Sequence, residues 1–415
     1  MILTKISLVN FRNYKKCNVK FNNQVNIFLG NNAQGKSNIL ESIYVLALTK
    51  SYRTNYDDIL KRKGSDSYKI VGDIKIGKYF KNLSVLSSNN EKKVFINDTN
   101  IKKISDYVST FNVILFSPED VETIKGTPSL RRDLLNIEIS QLSQQYIKNY
   151  NEYNKILKMR NDYLKLIYTN GISDYRYLDV LTNNLIDRAV NIYKERISFI
   201  NKINENISTI YNNLTKSDQL KILYEANIDI TNTNLREQLG EKYRLNQNKE
   251  VVAGMTLYGP HRDDFSFIIN DNDAKTYGSQ GQQKMAMIAF KLAEIPIFEE
   301  LTGTKPVLLL DDIFSELDKS KKNHLIEFIN DGIQVIITAN DTVGISKKLL
   351  NNAKVFRIEN GKIKNEGDYN GRKRSIWFFG DSSIRWTWGC KKTSWYVHWY
   401  NRFKRVTSFS LGNCR

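Results

Sequence analysis

"GNNAQGKS", residues 30–37, decides how this chain is read. It follows the apolar run "QVNIFL" and precedes "SNILESIYVLAL", which is apolar on most faces and therefore reads as a buried helix. A glycine-rich turn between a strand and a helix, ending in Lys-Ser, has the layout of a phosphate-binding loop. Backbone N–H groups of Gly30, Asn31, Asn32, Ala33, Gln34 and Gly35, with the positive end of the helix, would face the phosphates. Lys36 would reach the β and γ phosphates, and Ser37 would bind Mg²⁺.

A phosphate loop needs a second magnesium group, normally an acid at the end of an apolar strand. "KPVLLLDD" supplies it: Asp311 would sit on the magnesium side, and Asp312 would orient or deprotonate the attacking water. A helix-capping pair of carboxylates is the other reading of these two residues. Between the two motifs in chain order lies "GSQGQQ", residues 278–283, at the mouth of the apolar "KMAMIAFKLAE". A single phosphate loop leaves one side of a γ-phosphate open. Ser279, Gln280, Gly281 and Gln282 offer a hydroxyl, amides and a helix start without bulk, which fits that need, although the six residues alone read equally as a linker.

The flanking pattern is mixed α/β. "KISLVNF" reads as a strand, "YKIVGDIKI", "FKNLSVLSS" and "KKVFIND" as hairpin strands, and "NVILF" as a further strand. From Thr127, a capping residue followed by Pro128, a seam with steps of three and four runs through positions 135, 139, 142, 146, 150, 153, 157, 160, 164 and 167. "TNGISD" breaks it, with Ser173 or Asp174 as the next cap, and the seam resumes through 178, 181, 185, 189, 192, 196, 199, 203, 207 and 210. That predicts an antiparallel helical hairpin. After a polar stretch to about Glu250, α/β texture returns with "IQVIITAN" and "KVFRIENGKI", the latter a hairpin with an Asn-Gly turn. The expected fold is thus α/β with an inserted antiparallel helical arm. The expected division is 1–126 and 246–370 for the two parts of one head, 127–245 for the arm, and 371–415 for a tail.

At 415 residues with 41% hydrophobic content, there is room for a sizeable core and for two structural units. The net charge of +18 predicts an anionic partner, of which nucleic acid is the commonest, with a solvated lysine-rich surface as the alternative. Residues 372–415 carry ten Lys/Arg against Asp381 alone, and all five tryptophans. With no apolar period, that segment reads as a non-native or disordered extension, and its deletion is expected to leave nucleotide binding intact. Outside it Cys17 is the only cysteine, which excludes a disulfide framework or a cysteine metal site. The start of the chain has no signal-peptide layout and no 18-residue apolar run occurs, so the protein is expected to be soluble, cytoplasmic and free of membrane.

In order, phosphate loop, signature-type motif, "LLLDD" and "SELD" (Ser315, Glu316, Leu317, Asp318) resemble the ATP-binding-cassette arrangement. More narrowly, "NFRNY", "GNNAQGKSNILE", "LFSPED", "RRDLLN", "GPHRDD", "GSQGQQK" and "LLLDDIFSELD" together resemble the RecF family, bacterial recombination and replication-repair ATPases related to SMC heads. The resemblance covers residues 2 to about 365. It implies an ABC-type P-loop ATPase head that uses ATP and Mg²⁺, and a head-to-tail homodimer with ATP between one copy's phosphate loop and the other's signature. Ser279 would then donate to a γ-phosphate in trans, and the "SELD" loop would contact the partner copy. It further implies slow hydrolysis, clamping of double-stranded or gapped DNA, and action with RecR and RecO to help load RecA.

Under the same resemblance Arg12 and Asn13 would approach the nucleotide, a surface arginine being the alternative. Thr338 or Asn340 stands where a cassette histidine is expected, and "FSPED", with Ser117 or Glu119, stands at the glutamine loop. His261 reads as structural, with Arg262, Asp263 and Asp264 building an interface or a support for the signature helix. "KRKG" (61–64) and "IKKISDY" are candidate phosphate contacts or a solvated face, with no base-reading set visible. Two rival functions remain at this level: a transporter's ATPase subunit, and a passive DNA-binding scaffold with vestigial nucleotide chemistry.

Overall fold

The computed structural model describes residues 1–368 other than 90, 172–173, 217, 232–233, 314–320, 323–324, 326–331 and 343–346. Ser315, Glu316, Leu317, Asp318 and the 371–415 tail lie outside the described residues. Two sheets organise the head, and their sequences differ as their surroundings do. Strands β1 (Ile2–Phe11), β2 (Tyr14–Lys20), β4 (Ser67–Ile76), β5 (Tyr79–Ser88), β6 (Glu91–Ile96) and β7 (Thr99–Ile101) form an antiparallel sheet in the order β2-β1-β4-β5-β6-β7. Their apolar residues largely alternate, so one face is buried and the other faces out.

Strands β3 (Val25–Leu29), β8 (Val113–Phe116), β12 (Val307–Asp311) and β13 (Val335–Ala339) are buried at every position. Continuous apolar runs such as "VLLL" suit a parallel sheet covered on both sides, and these four strands pair in parallel. The sheet continues through β14 (Ala353–Glu359), parallel to β3, and ends with β15 (Lys362–Asp368), antiparallel to β14. Its order is β15-β14-β3-β13-β12-β8, and α1 (Lys36–Leu48) fills the space between the two sheets with Ile39, Ile43 and Leu46 in their shared core.

Short helices α2 (Ile104–Val108) and α3 (Val121–Lys125) lead to the arm. The first expected helix is two. Helix α4 (Pro128–Leu142) ends at Ser143, whose backbone is extended, and α5 (Gln144–Asn170) starts there with the Tyr146 amide donating to Ser143 Oγ at 3.0 Å. The periodic seam passed over this break because Leu142 and Tyr146 keep the spacing across it. After the turn, Asp174 Oδ1 accepts the Arg176 amide at 2.9 Å, and α6 (Arg176–Thr215), 40 residues long, runs back along α5. The polar stretch to Glu250 is also structured: β9 (Leu220–Glu225) pairs with β10 (Asp264–Ile269), and α7 (Leu235–Ala253) runs through residue 245. Strand β11 (Asn272–Asp273), α8 (Ala274–Tyr277) and α9 (Gln280–Thr302) follow, and α10 (Lys347–Asn351) precedes β14. One core runs without interruption from Leu310 and Ile337 of the sheet through Phe290 of α9 to Ile192 and Ile203 of α6.

Two seam positions are not apolar. Arg160 and Arg196 lie in the buried stripes of α5 and α6, each with 1% exposure. A buried guanidinium is costly unless its nitrogens find hydrogen-bond partners. Arg160 donates to Thr182 Oγ1 at 2.9 Å, Thr256 Oγ1 at 2.8 Å and Glu250 Oε2 at 2.6 Å, while Glu250 Oε1 accepts the Leu257 amide at 2.7 Å. Arg196 reaches the Tyr146 hydroxyl at 3.0 Å, Asn136 Oδ1 at 2.9 Å, the Pro260 carbonyl at 2.7 Å and the Tyr224 hydroxyl at 3.2 Å.

"RRDLLN" and "GPHRDD" meet in this network. Arg131 forks onto Asp264 at 2.7 and 2.8 Å, and Arg132 donates to the Asp263 carbonyl at 2.8 Å. Asp263 Oδ2 accepts the Tyr224 hydroxyl at 2.8 Å. His261 is structural, as expected from the sequence: its Nε2 lies 3.2 Å from the Thr256 carbonyl, which can only accept, so Nε2 carries the proton and Nδ1 accepts the Tyr153 hydroxyl at 2.6 Å.

Replacing Glu250 with Leu strands a buried guanidinium. It should cost about 3–5 kcal/mol of folding stability, measured by urea denaturation. Burial lowers the His261 pKa to about 4 and raises that of Asp263 to about 6. The neutral imidazole therefore contributes stability above pH 6.5 that is lost as pH falls toward 4, while Asp263 contributes stability at low pH that is lost as pH rises through 6. His261→Asn removes the first effect, so the wild type should lose on the order of 2 kcal/mol more than this variant between pH 7 and pH 4.5 in parallel urea titrations.

Candidate functional site

The carboxyl ends of β3, β12 and β13 lie side by side, because Leu309, Leu310 and Asp311 stand opposite Ile336, Ile337 and Thr338, and Ile337 and Thr338 opposite Ile27 and Phe28. Ligands of open parallel sheets gather at such ends. The first end continues into the phosphate loop, the second carries the two aspartates, and the third supplies Thr338 and Asn340.

The loop is shaped by what touches it. Gly35 has φ +111, and a Cβ there would stand 2.5 Å from Asn13 Nδ2 and 3.0 Å from the Tyr14 hydroxyl. A Cβ on Gly30 would meet the Ile358 carbonyl oxygen at 2.5 Å. The β14–β15 turn closes on the same loop: Asn360 and Gly361, both at positive φ, donate their amides to Gln34 Oε1 at 2.6 Å and the Gln34 carbonyl at 3.1 Å. No side chain caps the N-terminus of α1, whose first-turn amides face the loop.

Ser37 Oγ donates to Asp311 Oδ1 at 2.8 Å, which joins the two expected magnesium ligands. Thr338 Oγ1 donates to the same oxygen at 2.7 Å and accepts the Asp312 amide at 3.0 Å. The second oxygen, Oδ2, accepts the hydroxyl of Tyr52 at 2.9 Å. Burial, reinforced by the Asp311 charge, pushes that phenol far above its ordinary pKa, so it remains a donor. Asp312 adopts φ +51, an uncommon conformation that an aspartate tolerates better than most residues. Lys36 donates to the Gly30 carbonyl at 2.7 Å, the Asn31 carbonyl at 3.0 Å and Asn340 Oδ1 at 2.9 Å. Burial lowers its pKa, and Asp312 and Asp311 oppose that shift.

Of the two candidates at the end of β13, Thr338 therefore serves Asp311, and Asn340 reaches the loop lysine. Asn13 lies against the loop, donating to the Gln34 carbonyl at 3.2 Å. Arg12 forks its guanidinium onto Glu41, which is fully buried on α1, at 2.8 and 2.5 Å. Beside them opens a groove of about 580 Å³ whose lining includes Arg12, Asn13, Asn38, Arg53, Ile59 and Arg62. In the loop after β8, Ser117 is buried and forms a reciprocal cap with Asp120, while Glu119 is exposed. Tyr52 and Glu41 escaped the sequence reading, since "SYRT" matches no phosphate-site pattern and an acid inside a helix carries no marker.

The signature residues sit elsewhere on the surface. Ser279 caps α9: its Oγ accepts the Gln282 amide at 3.2 Å, and Gln282 Oε1 accepts the Ser279 amide at 3.0 Å. Gln282 is also tied to the arm, through Tyr211 to its carbonyl and through its Nε2 to Asp218, both at 3.4 Å. Ser279, Gln280 and Gly281 are exposed. A Cβ on Gly278 would clash with the Ala274 carbonyl at 2.5 Å, but one on Gly281 would meet only Ser279 Oγ at 3.9 Å. Gly281 is thus not demanded by its own chain.

The loop glycines, the uncapped helix and the Ser37–Asp311 pair suit a nucleoside triphosphate with magnesium. Among the described residues no group of His, Cys, Asp and Glu suits any other metal site, and no helix is long and apolar enough to cross a membrane. A family model described as RecF/RecN/SMC N terminal domain matches residues 2–364. A DNA replication and repair protein RecF from Ligilactobacillus salivarius is 38% identical over 89% of this chain and 99% of its own length. Another from an Exiguobacterium species is 41% identical over 88% and 100%. A solved structure described as the recombination mediator protein RecF with ATP in the RecFOR pathway is 31% identical, with a TM-score of 0.81 over 88% of this chain and 97% of that one. An SMC head, 14% identical with a TM-score of 0.52 over 89% and 98%, shares the fold. The phosphate loop with its paired strand-end acids, the α/β head with an inserted helical arm, and these matches lead to one conclusion: the chain belongs to the RecF family, with an ABC-type ATPase head of the SMC class.

Proposed function

We propose that this chain is an ATP-dependent DNA-binding protein of recombinational repair and replication. ATP joins two copies into a dimer that clamps double-stranded DNA near gaps and single/double-strand junctions. Weak, DNA-dependent hydrolysis resets the clamp. The protein acts in the cytoplasm with RecR and RecO and helps load RecA. The names of the relatives and the pathway of the ATP-bound neighbour support this reading.

The observation that carries it is Gly281. A glycine in a helix's first turn, with open space where its Cβ would stand, weakens that helix by about 0.4–1 kcal/mol relative to alanine and gains its own chain nothing. Such a position suits a surface that another group approaches closely, and Ser279 beside it offers a hydroxyl. The phosphate loop of the second copy would bring that group.

Magnesium held by Ser37 and Asp311 would neutralise phosphate charge. Lys36 would exchange its carbonyl partners for phosphate oxygens, and Asn340, within reach of the lysine, would sense that exchange. Asp312 would orient the attacking water. Tyr52 and Thr338 fix the Asp311 carboxylate, leaving Oδ1 turned toward Ser37. The groove beside Asn13 would take the nucleoside.

Sedimentation velocity with a non-hydrolysable ATP analogue, Mg²⁺ and gapped DNA tests the reading. The wild type should sediment as a dimer, Lys36→Met should bind no nucleotide, and Lys36→Arg should bind without turnover. Gly281→Arg should bind nucleotide and keep its thermal midpoint, yet remain a monomer. A wild type that stays monomeric at saturating analogue defeats the proposal, and DNA binding indifferent to nucleotide would favour the passive scaffold. Tyr52→Phe should lower Mg²⁺ affinity or turnover by about 10- to 100-fold with little change in nucleotide affinity without metal, read by a Mg²⁺ titration of phosphate release.

A further inference from the structure

The antiparallel sheet buries one face against α1, and its strand register determines what the other face carries. Residues directly opposite each other in neighbouring strands project to the same side. Val9 stands opposite Lys16 on β2 and Lys69 on β4; Lys69 stands opposite Leu86 on β5, and Leu86 opposite Lys93 on β6. One row across five strands therefore reads Lys16, Val9, Lys69, Leu86, Lys93. With strands about 4.8 Å apart, the lysines recur about every 10 Å over roughly 19 Å.

The next outward row along the strands, Asn18, Ser7, Val71, Ser84 and Phe95, is uncharged. The row beyond it brings Lys20 and Lys5 opposite each other, with Asp73 opposite Lys5 on β4, about 13 Å from the first row. Lys16, Lys20, Lys69 and Lys93 are exposed, and Lys5 is half-buried. Lys93 meets Glu91 at 3.4 Å, an exposed pair that solvent screens, and Asp73 is engaged by Asn82 Nδ2 at 2.6 Å. Lys5, Lys16, Lys20 and Lys69 enter no ion pair among the described residues.

We propose that this outward sheet face is the track on which the phosphate backbone of duplex DNA lies, with Lys16, Lys69 and Lys93 as its main contacts and Lys5 and Lys20 flanking them. The inference rests on the DNA-binding reading above and gives it a surface. A polyanion with a charge about every 1.7 Å of its axis can meet every lysine of such a row. A protein partner fits less well, because interface cores are depleted in lysine and anchored by aromatic residues. Lysine is a point charge on a flexible stem, so these contacts would carry no sequence preference.

Fluorescence anisotropy of a labelled 30-base-pair duplex, titrated with KCl in the presence of nucleotide, tests the track. The full chain would be compared with the Lys16→Glu/Lys69→Glu/Lys93→Glu triple variant and with its Gln counterpart. At 100 mM KCl the Glu triple should bind more than tenfold more weakly. In the Gln triple the slope of log affinity against log salt should shrink by about 2–3, as expected for three lost phosphate contacts. Nucleotide affinity and thermal midpoint should not change in either variant. Wild-type DNA binding with an unaltered slope and affinity in both triples would overturn this face alone, whereas a wild type that binds no duplex would overturn the DNA-binding reading with it. Displacement of the wild type by an acidic peptide, with no effect of the triples on duplex binding, would reassign the face to a protein.

Discussion

The hydrogen bond from Ser37 to Asp311 spans 274 residues of sequence, and the site depends on it. Each partner is fixed by separate physics. Ser37 stands at the start of a helix whose loop is held by a left-handed glycine and by the Asn360–Gly361 turn. Asp311 ends a strand buried on both faces, and its carboxylate is pinned by donors from two other segments, Tyr52 and Thr338. A carboxylate in this setting would be costly without partners. Here three hydroxyls satisfy it and set its orientation as well.

The arm is joined to the head by polar rather than purely apolar contacts. A helical seam of leucines and isoleucines fixes which faces of α5 and α6 meet, but it does so permissively, since similar side chains slide past one another at small cost. Arg160 and Arg196 allow far less freedom. Each can be buried only in the register that gives all three guanidinium nitrogens a partner, and those partners come from α4, α5, α6, α7, β9 and the 256–264 segment. Through Asp263 and Asp264 the network grips the beginning of β10, which leads through α8 to Ser279. The orientation of the signature is thereby coupled to the base of the arm.

Much of this was legible in the sequence. The phosphate loop, the "LLLDD" strand, the parallel-sheet runs and the Asn-Gly hairpin carry local signatures that depend on few neighbours, and the structure has them where the sequence puts them. The break at Ser143 was hidden because the apolar spacing continues through it. α7 was hidden because its polar residues outnumber a short apolar stripe, and β9 because its six residues are a short run inside a polar neighbourhood. Arg160 and Arg196 hold seam positions, yet nothing local says that a charge there is buried, since its partners lie up to 96 residues away. Tyr52 is the same case at the site: its role exists only because α1 returns the chain to the end of β12.

The reciprocal cap of α9 has a further consequence. One lone pair of the Ser279 oxygen is committed to the Gln282 amide, so the rotor is already braked before anything arrives. The proton of that hydroxyl takes no part in the cap and swings on a restricted arc away from the helix. An incoming acceptor would meet a donor whose rotational freedom had been surrendered during folding, and the entropy normally lost at docking would be correspondingly smaller.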